Sequence, residues 1–101
     1  MIVDHIAIQV DSPREAVKWY VDRWGAKPLH VDDTWGLIQF ENIKLAFVVS
    51  RQHPAHFAFK VTELTDGKMH RDGTRSRYDR DPWGNIYELI EYTEQSKEPL
   101  E

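Results

Sequence analysis

No cysteine occurs anywhere in the 101 residues. That absence removes disulfides, thiolate metal ligands and a cysteine nucleophile, leaving histidine and carboxylate side chains for any metal or acid–base chemistry. Nor does any apolar run approach the roughly 20 residues that a bilayer crossing needs. The opening Met1-Ile2-Val3-Asp4-His5 has no basic segment ahead of an apolar one. A cytoplasmic protein is expected, with no membrane partner. Positive charge is scarce as well. Seventeen acids against thirteen bases leave a formal net charge of −4, which repels phosphate backbones, so nucleic acid is not expected as a partner. Glycine and proline number five each, too few for a collagen-like chain.

What is present is the material of one folded domain. Hydrophobic residues make up 41% and charged residues 30%, the composition of a folded protein, and 101 residues leave no room for a second core, so residues 1–101 are expected to form one domain. His5-Ile-Ala-Ile-Gln-Val10 alternates strictly, which predicts a strand with Ile6, Ile8 and Val10 on one face and His5, Ala7 and Gln9 on the other. Ser12-Pro13-Arg14-Glu15 is a capping sequence with proline at the first helical position. Ala16, Val17, Tyr20, Val21 and Trp24 follow at helical spacing until Gly25 stops the helix. Three short strands are expected after it, at Pro28 to His30, Trp35 to Phe40 and Ile43 to Val49, and then a connector from Ser50 to Pro54.

The second half repeats the first in reduced form. His56-Phe-Ala-Phe-Lys-Val61 matches the opening strand fifty-one residues on, and Asn85-Ile86-Tyr87-Glu88 matches Asn42-Ile43-Lys44-Leu45 forty-three residues on, so eight residues are missing between the anchors. The loss falls at Thr62 to Met69, too short and poorly patterned for a helix. Closing strands are expected at Arg71 to Arg80 and Asn85 to Tyr92. Between them Pro82, Trp83 and Gly84 form a three-residue hairpin loop, which sets Tyr78 opposite Glu88. The fold class is therefore α+β, two βαβββ modules with the second helix shortened or lost. Module one spans 1–50, module two 55–93, and a polar tail at 94–101 is expected to fray.

Each module opens with a histidine followed two positions later by alanine, on the side away from the bulky apolar residues. A lone strand histidine is commonly just a satisfied or exposed side chain. Two in equivalent places of a repeat, joined by a carboxylate sharing its face with Ile86 and Ile90, point further. His5, His56 and Glu88 fit a facial triad for a divalent metal (Fe²⁺, Mn²⁺, Ni²⁺ or Zn²⁺) with coordination positions left open.

With these residues the chain resembles the vicinal-oxygen-chelate superfamily, which includes glyoxalase I, extradiol dioxygenases, fosfomycin-resistance proteins, methylmalonyl-CoA epimerases and bleomycin-resistance proteins. The resemblance runs from residue 4 to 92. It rests on Asp4-His5, Trp19-Tyr20 before Gly25, His56, and above all Asp81-Pro82-Trp83-Gly84-Asn85-Ile86-Tyr87-Glu88-Leu89. It implies a glyoxalase-like cup of sheet around a divalent metal on His5, His56 and Glu88. A fourth family ligand position falls on Leu45, a departure that points to three-ligand sites.

The implied activity is metal-dependent chemistry on a small oxygenated substrate, with lyase or isomerase, ring-cleaving dioxygenase and transferase reactions all open. The alternative is a non-enzymatic small-molecule binder like the bleomycin-resistance proteins. Tyr78 is the candidate acid–base or orienting residue, its other reading being an amphipathic filler of the cup. Trp35, His70 and Arg75 are candidate substrate-binding residues, and His53 and Trp83 further rim residues. His70 has a solvated loop as its competing reading, and the bases from Arg75 to Arg80 a solvated face. With no helix over module two, its Phe57, Phe59 and Val61 face would lie bare in a monomer, so a homodimer is expected.

Overall fold

Alternation at the start of the chain produces β1 (Ile2–Gln9), which begins earlier than expected because Ile2 and Val3 pair with Lys60 and Phe59 of module two. The computed structural model describes residues 1–70 and 72–93. Arg71 and the tail at 94–101 lie outside the described residues. Helix α1 (Pro13–Trp24) has the expected ends: Ser12 Oγ accepts the Glu15 N–H at 3.2 Å, and Gly25, at φ 70°, donates its N–H to Val21 O. Strands β2 (Lys27–Val31), β3 (Trp35–Gln39) and β4 (Lys44–Val48) complete module one.

Module two comprises β5 (His56–Val61), β6 (Lys68–Met69), β7 (Thr74–Arg80) and β8 (Ile86–Tyr92). No helix joins β5 to β6. The stretch expected as one strand from Arg71 is interrupted. His70 donates its N–H to Thr74 O, Gly73 donates to His70 O, and Asp72 Oδ1 accepts both the N–H and the hydroxyl of Thr74. An Asp-Gly turn inside the basic run therefore separates β6 from β7. The hairpin loop at 82–84 is the expected one: Asp81 and Gly84 close it, Gly84 sits at φ 87°, and Tyr78 pairs with Glu88.

The eight strands form one mixed sheet in the order β2-β3-β4-β1-β5-β8-β7-β6. It consists of two four-stranded halves with the same internal order, meeting at the antiparallel β1–β5 pair. Its two faces differ. On the outer face of module one, Ile38 and Phe47 pack under Val17 and Ala26, with Ile8, Val10 and Leu45 around them. Gly36 permits this, since a Cβ there would stand 2.6 Å from Val17 Cγ2. On the inner face Ala7, Leu29, Leu37, Ala46 and Val48 cluster beside Trp35.

Module two has no such cover outside. Ile6 is 41% and Val3 43% exposed, although both belong to a sheet interior. Phe57, Phe59 and Val61 are half-buried and not bare, because Phe57 meets Phe59 edge-on at 5.3 Å and Phe59 leans on Tyr87. The loop between β5 and β6 covers only the far end, where Leu64 is buried beside Arg75.

Candidate metal centre

The β1–β5 junction sets the two module-opening histidines side by side. His5 pairs with Ala58 and His56 with Ala7, so each imidazole leans over the partner strand's alanine, and the rings meet edge to face at 5.5 Å. The parallel β5–β8 pairing then places Glu88 beside Ala58 on the same face. The result is a cluster in which one ligand atom from each of His5, His56 and Glu88 lies within 4.8 Å of the others. Glu88 Oε1 is 3.3 Å from His5 Nε2 and 3.4 Å from His56 Nε2.

The outer nitrogens are tied down differently. His56 Nδ1 donates to Pro54 O at 2.7 Å, leaving Nε2 buried, aimed into the cluster and without a hydrogen-bond partner. His5 Nδ1 is 2.7 Å from Asp4 Oδ2. Burial alone would lower the His5 pKa, but the hydrogen bonds and charges of Asp4 and Glu88 prevail and raise it to about 9. Burial would likewise raise Glu88, yet the imidazoles of His5 and His56 hold its carboxyl well below the usual range. An ionised carboxylate and a pre-oriented, unsatisfied imidazole nitrogen at this separation are a donor set that a divalent cation fits.

The fourth position implied by the resemblance is occupied by Ala46 and not Leu45. Ala7 pairs with Ala46 as Ala58 pairs with Glu88, whereas Leu45 faces the helix. The one-residue slip has a local cause. The β3–β4 hairpin closes at Phe40 and Ile43 around two residues, the β7–β8 hairpin at Asp81 and Asn85 around three, so Asn42 and Asn85 are not equivalent. The departure itself stands, because alanine offers no ligand.

The cluster lies in a cavity of about 570 Å³ drawn from both modules. Tyr78 lines it, its ring 4.9 Å from that of His56 and its hydroxyl 2.9 Å from His53 Nδ1. Burial first, and the Glu88 charge second, push the Tyr78 pKa up, while burial lowers that of His53. A protonated phenol is thus paired with a neutral imidazole. Trp35 lines the opposite wall, stacked on His30 at 4.1 Å. His70 also lines the cavity, its Nε2 2.6 Å from Ser76 Oγ, so it is not the solvated loop residue that its alternative reading made it.

Arg75, expected to bind substrate, does not line the cavity. Ser76 and Tyr78 pair with Ile90 and Glu88 on the inner face, so strand parity turns Arg75 outward, where its guanidinium reaches Leu64 O at 3.4 Å. Among the described residues no arginine lines the cavity, and its cations are Lys44 and Lys68. Trp83 projects from the hairpin loop at 83% exposure and lines nothing. One inward group, Asp4, escapes a reading of alternation, while Lys44 and Tyr92 share the parity of Ala46 and Glu88 and turn inward with them. Tyr92 donates to Asp4, and Lys44 donates to Tyr92.

Neither a protein-family model nor a curated protein matches the chain. Solved structures do. A methylmalonyl-CoA epimerase from Streptomyces coelicolor, in complex with 2-nitronate-propionyl-CoA, superposes with a TM-score of 0.76 over 96% of this chain and 98% of its own, at 13% identity. The methylmalonyl-CoA epimerase from Mycobacterium tuberculosis gives 0.69 over 90% and 87%, at 18% identity. A Legionella pneumophila protein described as an NAD-dependent benzaldehyde dehydrogenase gives 0.69 over 87% and 97%, at 10% identity. The chain has the glyoxalase-like fold of these neighbours. Neighbours named for different reactions share that fold, so the chemistry must be argued from the site.

Proposed function

We propose that this chain is a divalent-metal-dependent enzyme of the vicinal-oxygen-chelate type, acting on a small oxygenated substrate. One observation carries the reading: His56 Nε2, buried and unpartnered, faces the Glu88 carboxylate within a two-histidine, one-carboxylate cluster. Bound there, Fe²⁺, Mn²⁺, Ni²⁺ or Zn²⁺ would supply Lewis-acid stabilisation of developing negative charge on substrate oxygen. His5, His56 and Glu88 would hold it, and Ala46 leaves room beside it for substrate.

The protein's own part is positioning and proton transfer. Tyr78, kept protonated by burial and by Glu88, donates its phenolic proton to a substrate oxygen and takes it back as product leaves, while His53 Nδ1, 2.9 Å from the hydroxyl, orients it. The inner wall of module one, Leu37, Val48 and Trp35, takes the apolar part of the substrate, while His70 and Lys68 meet its polar end. Proton transfer at one site is what lyases and isomerases need, and this geometry supports that class ahead of ring cleavage or group transfer. A cytoplasmic site of action belongs to the same reading.

A homodimer is proposed as the functional unit. The outer face at the β1–β5 junction carries Val3, Ile6, Phe57 and Phe59 with no helix above them among the described residues, and a second copy covering it would remove that apolar surface from water. The deciding experiment for the metal reading is metal analysis of protein purified without chelator, with a thermal-shift series in Mn²⁺, Fe²⁺, Ni²⁺ and Zn²⁺. Stoichiometric metal is expected, with a rise in Tm on the order of 10 °C at a hundredfold excess over Kd. A Tm indifferent to all four ions would replace the enzyme by a non-enzymatic dimeric binder.

A further inference from the structure

We infer that Asp4 is the positioning residue of the metal centre: through Tyr92 and Lys44 behind it, it holds His5 with Nδ1 protonated and Nε2 presented as a ligand. This rests on the metal reading above and adds a residue to it. Four observations support it.

The first is backbone geometry. Along the β1–β5 ladder Val3 pairs with Phe59 and His5 with Ala58, so Asp4 is an extra residue, and the register shifts there. Such a bulge re-aims a side chain that alternation would send to the other face. Asp4 and His5, adjacent in sequence, consequently both line the cavity.

The second is the hydrogen-bond order. Lys44 Nζ donates to Tyr92 Oη at 3.0 Å, Tyr92 Oη–H donates to Asp4 at 2.9 Å, and Asp4 Oδ2 accepts from His5 Nδ1 at 2.7 Å. Every donor in that sequence points toward Asp4, and none points back at the imidazole. The carboxylate is therefore held as an acceptor, which fixes the proton on Nδ1.

The third is cost. Asp4 is 8% and Lys44 9% exposed, with Lys44 Nζ 3.4 Å from Asp4 Oδ1. Burying an ion pair between two central strands stabilises less than apolar residues of similar volume, so packing alone does not account for it. Its position does, because Lys44 lies directly across from His5 in the β1–β4 ladder.

The fourth is the contrast with the other module. No bulge occurs in β5, and His56 Nδ1 is served by a backbone carbonyl at Pro54. One metal-site histidine is thus set by main chain and the other by a charged side chain, and only the second can be altered by substitution.

The test uses the full chain. Asp4→Asn is expected to weaken Zn²⁺ binding about 10–100-fold, read by competition with a chromophoric chelator. In the Zn²⁺-loaded protein, the slowly exchanging Nδ1–H resonance of His5 is expected to vanish while that of His56 remains, a signature that a general loss of stability would not produce. Should Asp4→Asn fail to fold, Asp4→Asn with Lys44→Met removes both charges and must show the same two losses. Wild-type Kd together with an intact His5 resonance in either variant overturns the inference and leaves the metal reading standing. A wild-type chain that binds no divalent ion overturns both.

Discussion

The two modules share a strand order and a histidine at the same place, yet they have divided the work. Module one has its helix, a closed outer core built on Ile38 and Phe47, and an apolar inner wall. Module two has lost the helix, leaves its outer face half-covered, and brings His56 and Glu88 to the cluster that His5 of module one completes. Register makes the division concrete. Leu37 pairs with Ala46 in the first module where Tyr78 pairs with Glu88 in the second. The same two inner positions hold a leucine and an alanine on one side, a phenol and a carboxylate on the other. Stability and reactivity need opposite things of a sheet face, dense apolar contact in one case and desolvated polar groups in the other. A duplicated scaffold can satisfy both by letting its halves diverge.

The sharpest way to break this contrast is to give module two the residue of module one. Glu88→Ala is expected to weaken divalent-metal binding more than about a hundredfold, because it removes the only carboxylate of the cluster. Chelator competition measures it, and an affinity within tenfold of wild type would remove Glu88 from the site. Tyr78→Phe makes a subtler change. Loss of the hydroxyl should lower kcat by about 10²–10⁴, with metal affinity unchanged, in an assay on whichever substrate the loaded protein turns over. A parallel loss of metal would instead make Tyr78 a filler of the cup.

The outer faces supply the next test. Ile38→Ala in module one should cost about 2–5 kcal/mol in denaturant unfolding, since Ile38 is fully buried under the helix. Phe59→Ser in module two should cost a monomer only about 1 kcal/mol, but should dissociate the dimer in sedimentation. Equal costs and an unchanged sedimentation coefficient would show that nothing docks on the half-covered face.

The smallest effect is on pH dependence. In the metal-free protein His5 holds its proton up to about pH 9. A metal must displace that proton, so apparent affinity should rise about tenfold per pH unit through neutrality and level off above 9. Stability of the metal-free chain runs the other way. His5 is raised from 6.5, so its contribution is complete below 6.5 and is lost as pH climbs through 9.

Much of this was legible in one dimension, because the signals were local. Alternation, the Ser12 cap, the Gly25 stop and the Pro82-Trp83-Gly84 loop each depend on a few neighbouring residues, and the repeated histidine with its downstream alanine marked both halves of the cluster. Asp4 and Arg75 were not legible in the same way. Arg75, a substrate candidate by residue type, faces outward, since its direction depends on strand parity counted from Glu88. The Asn42–Asn85 match misplaced the fourth position by one residue because two hairpins differ by one residue in length.

By itself, then, the sequence determined the strand and helix pattern, the duplicated architecture, the missing second helix and the identities of His5, His56 and Glu88. Only the tertiary structure decided which groups stand behind them. A bulge at Asp4 cannot be read from the strand that carries it. It exists because β1 must keep register with β5 on one edge and β4 on the other, and the extra residue is accommodated where an inward carboxylate finds Tyr92 and Lys44.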